Sequence, residues 1–153
     1  MKRRTFLKGT VASGMLSVAA SAGLLTPRSV LAAWPETAFA AKSIDDALNT
    51  LLGSTTLSES GDIKIKAPEI AENGAVVPIT VSTGMEAESI SVFIAKNPSP
   101  LACSFALGGS TQGFVSTRVK MGETSDLIAI VKSGGKLYSA KKTIKVTIGG
   151  CGG

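Results

Sequence analysis

From Gly61 onward, the chain contains runs in which every second residue is apolar and the residues between are mostly polar, as in strands that have one buried face. The alternating runs are short, and they are separated by segments rich in glycine, proline and asparagine, which turns require. The runs predict seven strands, at 63–70, 76–82, 89–95, 101–107, 114–121, 127–132 and 137–148. This spacing predicts an all-β fold, an immunoglobulin-like antiparallel β-sandwich over residues 61–148.

Most apolar stripes in these strands are regular, but three aromatic residues are harder to assign. Ile90, Val92 and Ile94 share one face of their strand and are predicted to point into the core. Phe93, Phe114 and Tyr138 lie out of phase with some of the stripes or extend them. They fit either a core or an exposed apolar patch, and we favour the core because a sandwich has two inner faces to fill.

The apolar period before the strands is helical. One stripe at the 3.6-residue period contains Ile44, Ala47, Leu48, Leu51 and Leu52. Ser43 is a suitable N-cap, and Gly53 follows the last periodic residue. The pattern predicts a short helix from Ser43 through Leu52 within an N-terminal arm at 33–60, which Trp34 and Phe39 are expected to dock.

Residues 1–32 have the three parts of an export signal. Arg3 and Arg4 lie in a basic start, a mildly apolar stretch occupies 9–25, and small residues surround Ala32. The segment predicts a cleaved twin-arginine signal peptide and a periplasmic protein; the alternative, a membrane anchor, is disfavoured because the stretch is short and weakly apolar. Since this route moves folded proteins, we expect a partner subunit without its own signal to travel with the chain.

Charge and composition exclude several classes of function. Five of the 16 basic residues lie in 1–32, and the 11 that remain are balanced by all 11 acidic residues, so no basic surface for nucleic acid is predicted. The chain contains no histidine, which excludes catalysis with an imidazole base and histidine metal ligands. No cofactor motif is present, and two distant cysteines cannot close a zinc site.

The two cysteines differ in their surroundings. Cys103 shares an apolar face with Leu101, Phe105 and Leu107, which predicts a buried thiol that is raised in pKa and unreactive. The alternative is a disulfide to Cys151, which an oxidising compartment permits. A glycine-rich segment is a poor support for such a bridge, and we favour the free thiol.

Cys151 lies among glycines, and no neighbouring side chain can bury or activate its sulfur. Its neighbours on the two sides are Gly149, Gly150, Gly152 and Gly153. Glycine resists fixed conformations, so residues 149–153 predict a flexible arm that extends by roughly 10 Å from Ile148. Such a slender arm fits a narrow channel. We interpret Cys151 as an attachment site whose chemistry is carried out by other proteins.

These segments together resemble the SoxY family, the substrate carriers of the periplasmic thiosulfate-oxidising Sox system. The similarity lies in the terminal GGCGG, the twin-arginine leader, Trp34-Pro35, "IKAPEIAENGAVVPI" and "KNPSPLACSF". It implies an immunoglobulin-like fold, a heterodimer with SoxZ, and covalent attachment of sulfur intermediates to Cys151, with no other cofactor. It also implies a carrier without catalytic activity, served by a c-type cytochrome, a dimanganese hydrolase and a sulfane dehydrogenase.

Other functions compete with the carrier interpretation. A ubiquitin-like sulfur carrier also ends in Gly-Gly, but it needs cytosolic adenylation and a different fold. A thiol peroxidase would use Cys151 for attack and Cys103 for resolution, although nothing near Cys151 lowers its pKa. An exported β-sandwich interaction module, cross-linked through its cysteine, is the remaining alternative.

Overall fold

The computed structural model describes residues 35–147. Two helices come first in this part of the chain, α1 (Glu36–Ala40) and α2 (Ile44–Leu52). Nine strands follow within the same residues: β1 (Ser58–Glu59), β2 (Ile63–Lys66), β3 (Ile70–Ala71), β4 (Val77–Thr83), β5 (Ser89–Ile94), β6 (Leu101–Ala106), β7 (Phe114–Val119), β8 (Ser125–Ser133) and β9 (Lys136–Val146). The predicted signal peptide at 1–32, Trp34 and the predicted arm at 149–153 lie outside the described residues.

Helix α2 has both of the predicted caps. The Ser43 hydroxyl accepts a hydrogen bond from the Asp46 N–H at 3.1 Å, which satisfies one free donor of the first turn. At the other end Gly53 adopts φ 72°, and its N–H donates to the Asn49 carbonyl at 3.0 Å. The predicted helix is confirmed. Helix α1 was not predicted, because five residues are too few to show an apolar period.

The strands form two sheets, and the predicted β-sandwich is confirmed. The first sheet has the order β1-β9-β8-β5-β6, with β3 also paired to β9, and the second has the order β2-β4-β7. All pairs are antiparallel except β1 with β9 and β3 with β9, which are parallel and two residues long. No helix in residues 35–147 is long and apolar enough to span a membrane.

The predicted strand at 63–70 is wrong as a single element. It divides into β2, which belongs to the second sheet, and β3, which belongs to the first. Pro68 lies between them and has no N–H to continue a ladder, so the chain changes sheets there. Strand β1 lies in the predicted N-terminal arm and was missed, because two residues carry no readable alternation.

Apolar side chains are buried on both faces of the first sheet. Between the two sheets, Ile90, Val92 and Ile94 point into the core as predicted, and each is fully buried. On the opposite face, Phe93 is fully buried and packs in a cluster with Leu48 of α2. The two helices therefore form a third layer over the first sheet, which makes β5 a strand without a solvent-facing side.

A β-bulge changes the predicted face of β6. Val92 pairs with Cys103, whereas the next residue, Phe93, pairs with Leu101, so Ala102 is the extra residue. Leu101 consequently packs in the helix-side cluster, while Cys103 and Phe105 pack against the core between the sheets. The prediction that Leu101 and Cys103 share a face is wrong for this reason.

The aromatic residues provide a test of the three-layer packing. We expect Phe93→Ala to lower the free energy of unfolding by roughly 3–5 kcal/mol, because it removes a large side chain that is 0% exposed. The control is Phe114→Ala, since Phe114 is 55% exposed and its loss is expected to cost less than about 0.5 kcal/mol. Urea unfolding measures both, and equal losses would contradict the assigned layers.

Candidate functional site

The structure describes the base of the predicted arm and not the arm itself. Strand β9 ends at Val146, and Thr147 is the last described residue. Cys151, with Gly149, Gly150, Gly152 and Gly153, lies beyond it, as do Arg3 and Arg4 at the other end. We therefore define the arm root as Val146 and Thr147, and the contacts that fix its position lie on both edges of β9.

Strand β3 holds one edge of the arm root. It runs parallel to β9, with Ile70 opposite Lys145 and Ala71 opposite Val146. The Lys145 N–H donates to the Glu69 carbonyl at 2.9 Å, and the Thr147 N–H donates to the Ala71 carbonyl at 3.1 Å. The pairing thus continues to the last described residue.

Thr124 holds the opposite edge. The antiparallel pairing of β8 with β9 reaches Ser125 and Ile144, and beyond it the Val146 N–H donates to the Thr124 hydroxyl at 2.9 Å. A side chain therefore replaces the backbone acceptor that a longer β8 would provide. With partners on both edges, the direction of the chain is fixed as far as Thr147.

Gly74 allows the loop after β3 to approach the root closely. A Cβ at this position would collide with the Met121 carbonyl oxygen and lie 2.8 Å from Cγ1 of Val146. The Met121 N–H also donates to the Gly74 carbonyl at 2.7 Å. From the sequence, Asn73-Gly74 is a turn signal, which does not predict this contact, and nothing in the sequence predicts the role of Thr124.

Cys103 has the environment that the sequence predicts for an unreactive thiol. It is a free cysteine, partly buried against the core between the sheets. Burial disfavours the thiolate and raises the pKa of Cys103 from 9.0 to about 11, although a backbone hydrogen bond with Val92 partly lowers it. At neutral pH its thiolate is therefore scarce, and Cys103 is not a nucleophile.

Cys103 and Cys151 are too far apart to form a disulfide within one chain. Cys103, Val92, Ala129 and Ala140 are aligned across four strands of the first sheet. Three strand spacings and the seven residues from Ala140 to Thr147 separate Cys103 from the root by about 27 Å. The four residues from Thr147 to Cys151 span at most about 14 Å, and a disulfide adds about 7 Å between Cα atoms.

This distance also argues against a peroxidase in which Cys103 resolves an oxidised Cys151. No cluster of three or more cysteine, aspartate or glutamate side chains in residues 35–147 is arranged to hold a metal ion. A surface groove beside β1 has a volume of about 480 Å³ and is lined by Leu57, Ile128 and Lys141 among others.

Comparison with known proteins gives a consistent result. Residues 48–151 match the model of a family described as sulfur oxidation protein SoxY. Among solved structures, the chain is similar to the sulfur carrier protein SoxY from Chlorobium limicola f thiosulfatophilum, with 47% identity and a TM-score of 0.63. That similarity covers 69% of this chain and 97% of the other. No match was found among curated proteins.

Gly74 provides a test of the packing at the arm root. We expect Gly74→Ala to destabilise the protein by roughly 1–3 kcal/mol, because the new methyl group meets a backbone oxygen that cannot rotate away. Hydrogen exchange at the Val146 and Thr147 amides should accelerate as their partners shift. Gly61→Ala is the control, since a Cβ there meets nothing within 4 Å; unchanged exchange in Gly74→Ala would contradict the proposed packing.

The raised pKa of Cys103 predicts how alkylation depends on pH. In a Cys151→Ser variant, Cys103 is the only thiol. We expect its rate of reaction with iodoacetamide to rise through a midpoint of about 11, because burial penalises the thiolate. Unfolding in urea should return the midpoint to the ordinary value of 9.0. A midpoint near 9.0 in the folded protein would contradict the assigned burial.

Proposed function

The chain belongs to the SoxY family of sulfur oxidation proteins, and from this premise we propose that it carries sulfur intermediates covalently on Cys151. Family membership supports a role as a carrier in sulfur oxidation. The attachment site and the reactions are our proposal. Its main support is that a root held on both edges as far as Val146 and Thr147 precedes a Gly-Gly-Cys-Gly-Gly segment.

This arrangement suits a carrier, because a fixed root sets the position at which the glycine-rich segment begins. The hydrogen bonds to Ala71 and Thr124 prevent the end of β9 from fraying, so the position from which the arm extends stays constant. Beyond the root, Gly149, Gly150, Gly152 and Gly153 give the arm the smallest cross-section that a peptide can have. The sulfur of Cys151 can then enter sites that exclude ordinary side chains.

The proposed chemistry takes place in two steps on the sulfur. In the first, the Cys151 thiol and thiosulfate form an S–S bond, with release of one proton and transfer of two electrons to a c-type cytochrome partner. In the second, water cleaves the S–S bond that carries the sulfonate, releasing sulfate and leaving a persulfide on Cys151; a dimanganese hydrolase would catalyse this. A sulfane dehydrogenase or a sulfur-storing pathway would process the remaining sulfur.

The residues of this chain supply attachment and presentation in these steps. With no histidine in the sequence and no activating side chain beside Cys151, the base and the oxidant come from the partner proteins. The protein is therefore proposed to be a carrier and not an enzyme, with no resident cofactor. Its sulfur intermediates are cargo.

The proposed setting is the periplasm, reached by the twin-arginine route through Arg3 and Arg4. Family membership points to partners within the Sox system in general. More specifically, we propose a heterodimer with SoxZ, which would be exported on this chain. The twin-arginine route moves folded proteins, so a partner could bind the folded sandwich inside the cell and cross the membrane with it.

The proposal is tested by intact-mass spectrometry of the protein purified from cells that grow on thiosulfate. We expect masses of sulfonate and polysulfane adducts, which disappear on reduction. Cys151→Ser should abolish them because the attachment atom is lost.

Cys103→Ala is the matched control for the second cysteine. It should retain the adducts, since burial keeps the Cys103 thiol protonated. Adducts that persist in Cys151→Ser, or that require Cys103, would overturn the assignment of the attachment site.

A further inference from the structure

Two large apolar side chains that are exposed lie near the arm root. Among the described residues three are prominent: Ile70 is 56% exposed, Val76 is 50% exposed and Phe114 is 55% exposed. Ile70 pairs with Lys145, two positions before Thr147. Phe114 pairs with Ser82, at the end of β4 away from Val76, and so lies at the opposite end of the sandwich.

Ile70 and Val76 are the two ends of a segment that passes over the root. Between them, Ala71 accepts the hydrogen bond from Thr147, and Gly74 lies against Val146 and Met121. We call residues 70–76 the root crossover. It leads from β3 at the edge of the first sheet to β4 in the second sheet, and it therefore crosses the end of the sandwich where the arm begins.

The root crossover holds its shape through its own hydrogen bonds. The Asn73 side chain accepts from the Ala75 N–H at 2.9 Å, and the Asn73 carbonyl accepts from the Val76 N–H at 3.3 Å. Ala71 is buried in the core between the sheets. The two exposed apolar side chains are thus displayed by a fixed backbone, which lowers the entropic cost of contact with another protein.

The reach of the arm determines how close a reacting partner must come. Four residues separate Thr147 from Cys151, so the arm spans at most about 14 Å. A recess that encloses the thiol and excludes water occupies several ångströms of this length. The entrance of such a recess must then lie against the end of the sandwich, where the root crossover is exposed.

We propose that Ile70 and Val76 form the docking surface for the entrance of the partner site that reacts with Cys151. The occupant is a protein surface with apolar side chains around the mouth of a narrow channel, since the exposed groups that meet it are aliphatic. This inference rests on the proposed carrier function. It adds that the partner recognises the sandwich as well as the arm.

The experiment compares charge substitutions at the two ends of the sandwich. Ile70→Glu, Val76→Glu and the double variant are purified from periplasm in their native assembly, reduced, and added with thiosulfate to a periplasmic extract of thiosulfate-grown cells. Intact mass follows the initial rate at which the Cys151 adduct forms. We expect the double variant to load about tenfold more slowly, as loss of about 1.4 kcal/mol of contact energy predicts.

Phe114→Glu is the matched control. It replaces an equally exposed apolar side chain far from the root, and it should load at a rate within about twofold of the wild type. Iodoacetamide should modify Cys151 equally in all variants, which shows that the arm itself is intact. Size-exclusion chromatography should give the wild-type elution volume for each.

The outcomes separate the two hypotheses. Wild-type loading by the double variant, or equal slowing by Phe114→Glu, would overturn the docking surface and leave the carrier function standing. An altered elution volume for Ile70→Glu or Val76→Glu would identify the surface as an interface with a second copy or a subunit, which also overturns the proposal. If the wild type acquires no adduct on Cys151, the carrier function fails and the docking surface fails with it.

Discussion

Hydrogen bonds on both edges of β9 fix the backbone as far as Thr147, and the length of chain before Cys151 is counted from that residue. A strand of two residues, β3, supplies the acceptor on one side, and the Thr124 hydroxyl supplies it on the other. Terminal strand residues with one partner tend to fray. With partners on both edges, the end of β9 is held in place. The number of residues after Thr147 then sets an upper limit on the distance from the sandwich to the Cys151 sulfur.

The sandwich disfavours the thiolate form of the cysteine that it contains. Cys103 shows what happens to a thiol within the sandwich: burial penalises the thiolate and raises the pKa to about 11. It lies on β6, three strands away from β9, and the reach of the arm does not bridge that distance. The described part of the chain thus holds Cys103 where its thiolate is disfavoured, away from the end of β9.

The sequence was informative wherever a signal is local and periodic. The caps of α2 at Ser43 and Gly53 and the inward stripe of β5 follow from spacing alone. The bulge at Ala102 and the parallel pairing of β3 depend on contacts between distant segments, whereas the division at Pro68 has a local signal that the sequence prediction did not use. Two-residue strands have no period to detect, so the hydrogen bonds that hold the arm root were not predictable. Asn73-Gly74 is a turn signal, but it does not distinguish an ordinary turn from one that packs against the arm root.

Within the root crossover, the residues that hold the arm root differ from the residues that face the solvent. Ala71 and Gly74 face inward, where one accepts from Thr147 and the other contacts Val146 and Met121. Ile70 and Val76 face outward and contribute little to the core. Substitutions at the inward positions are expected to disturb the arm root, whereas substitutions at the outward positions change an exposed surface and leave the hydrogen bonds of the root in place. Because one short segment has both kinds of residue, a partner docked on Ile70 and Val76, as proposed, would contact the same segment that holds Val146 and Thr147 in place.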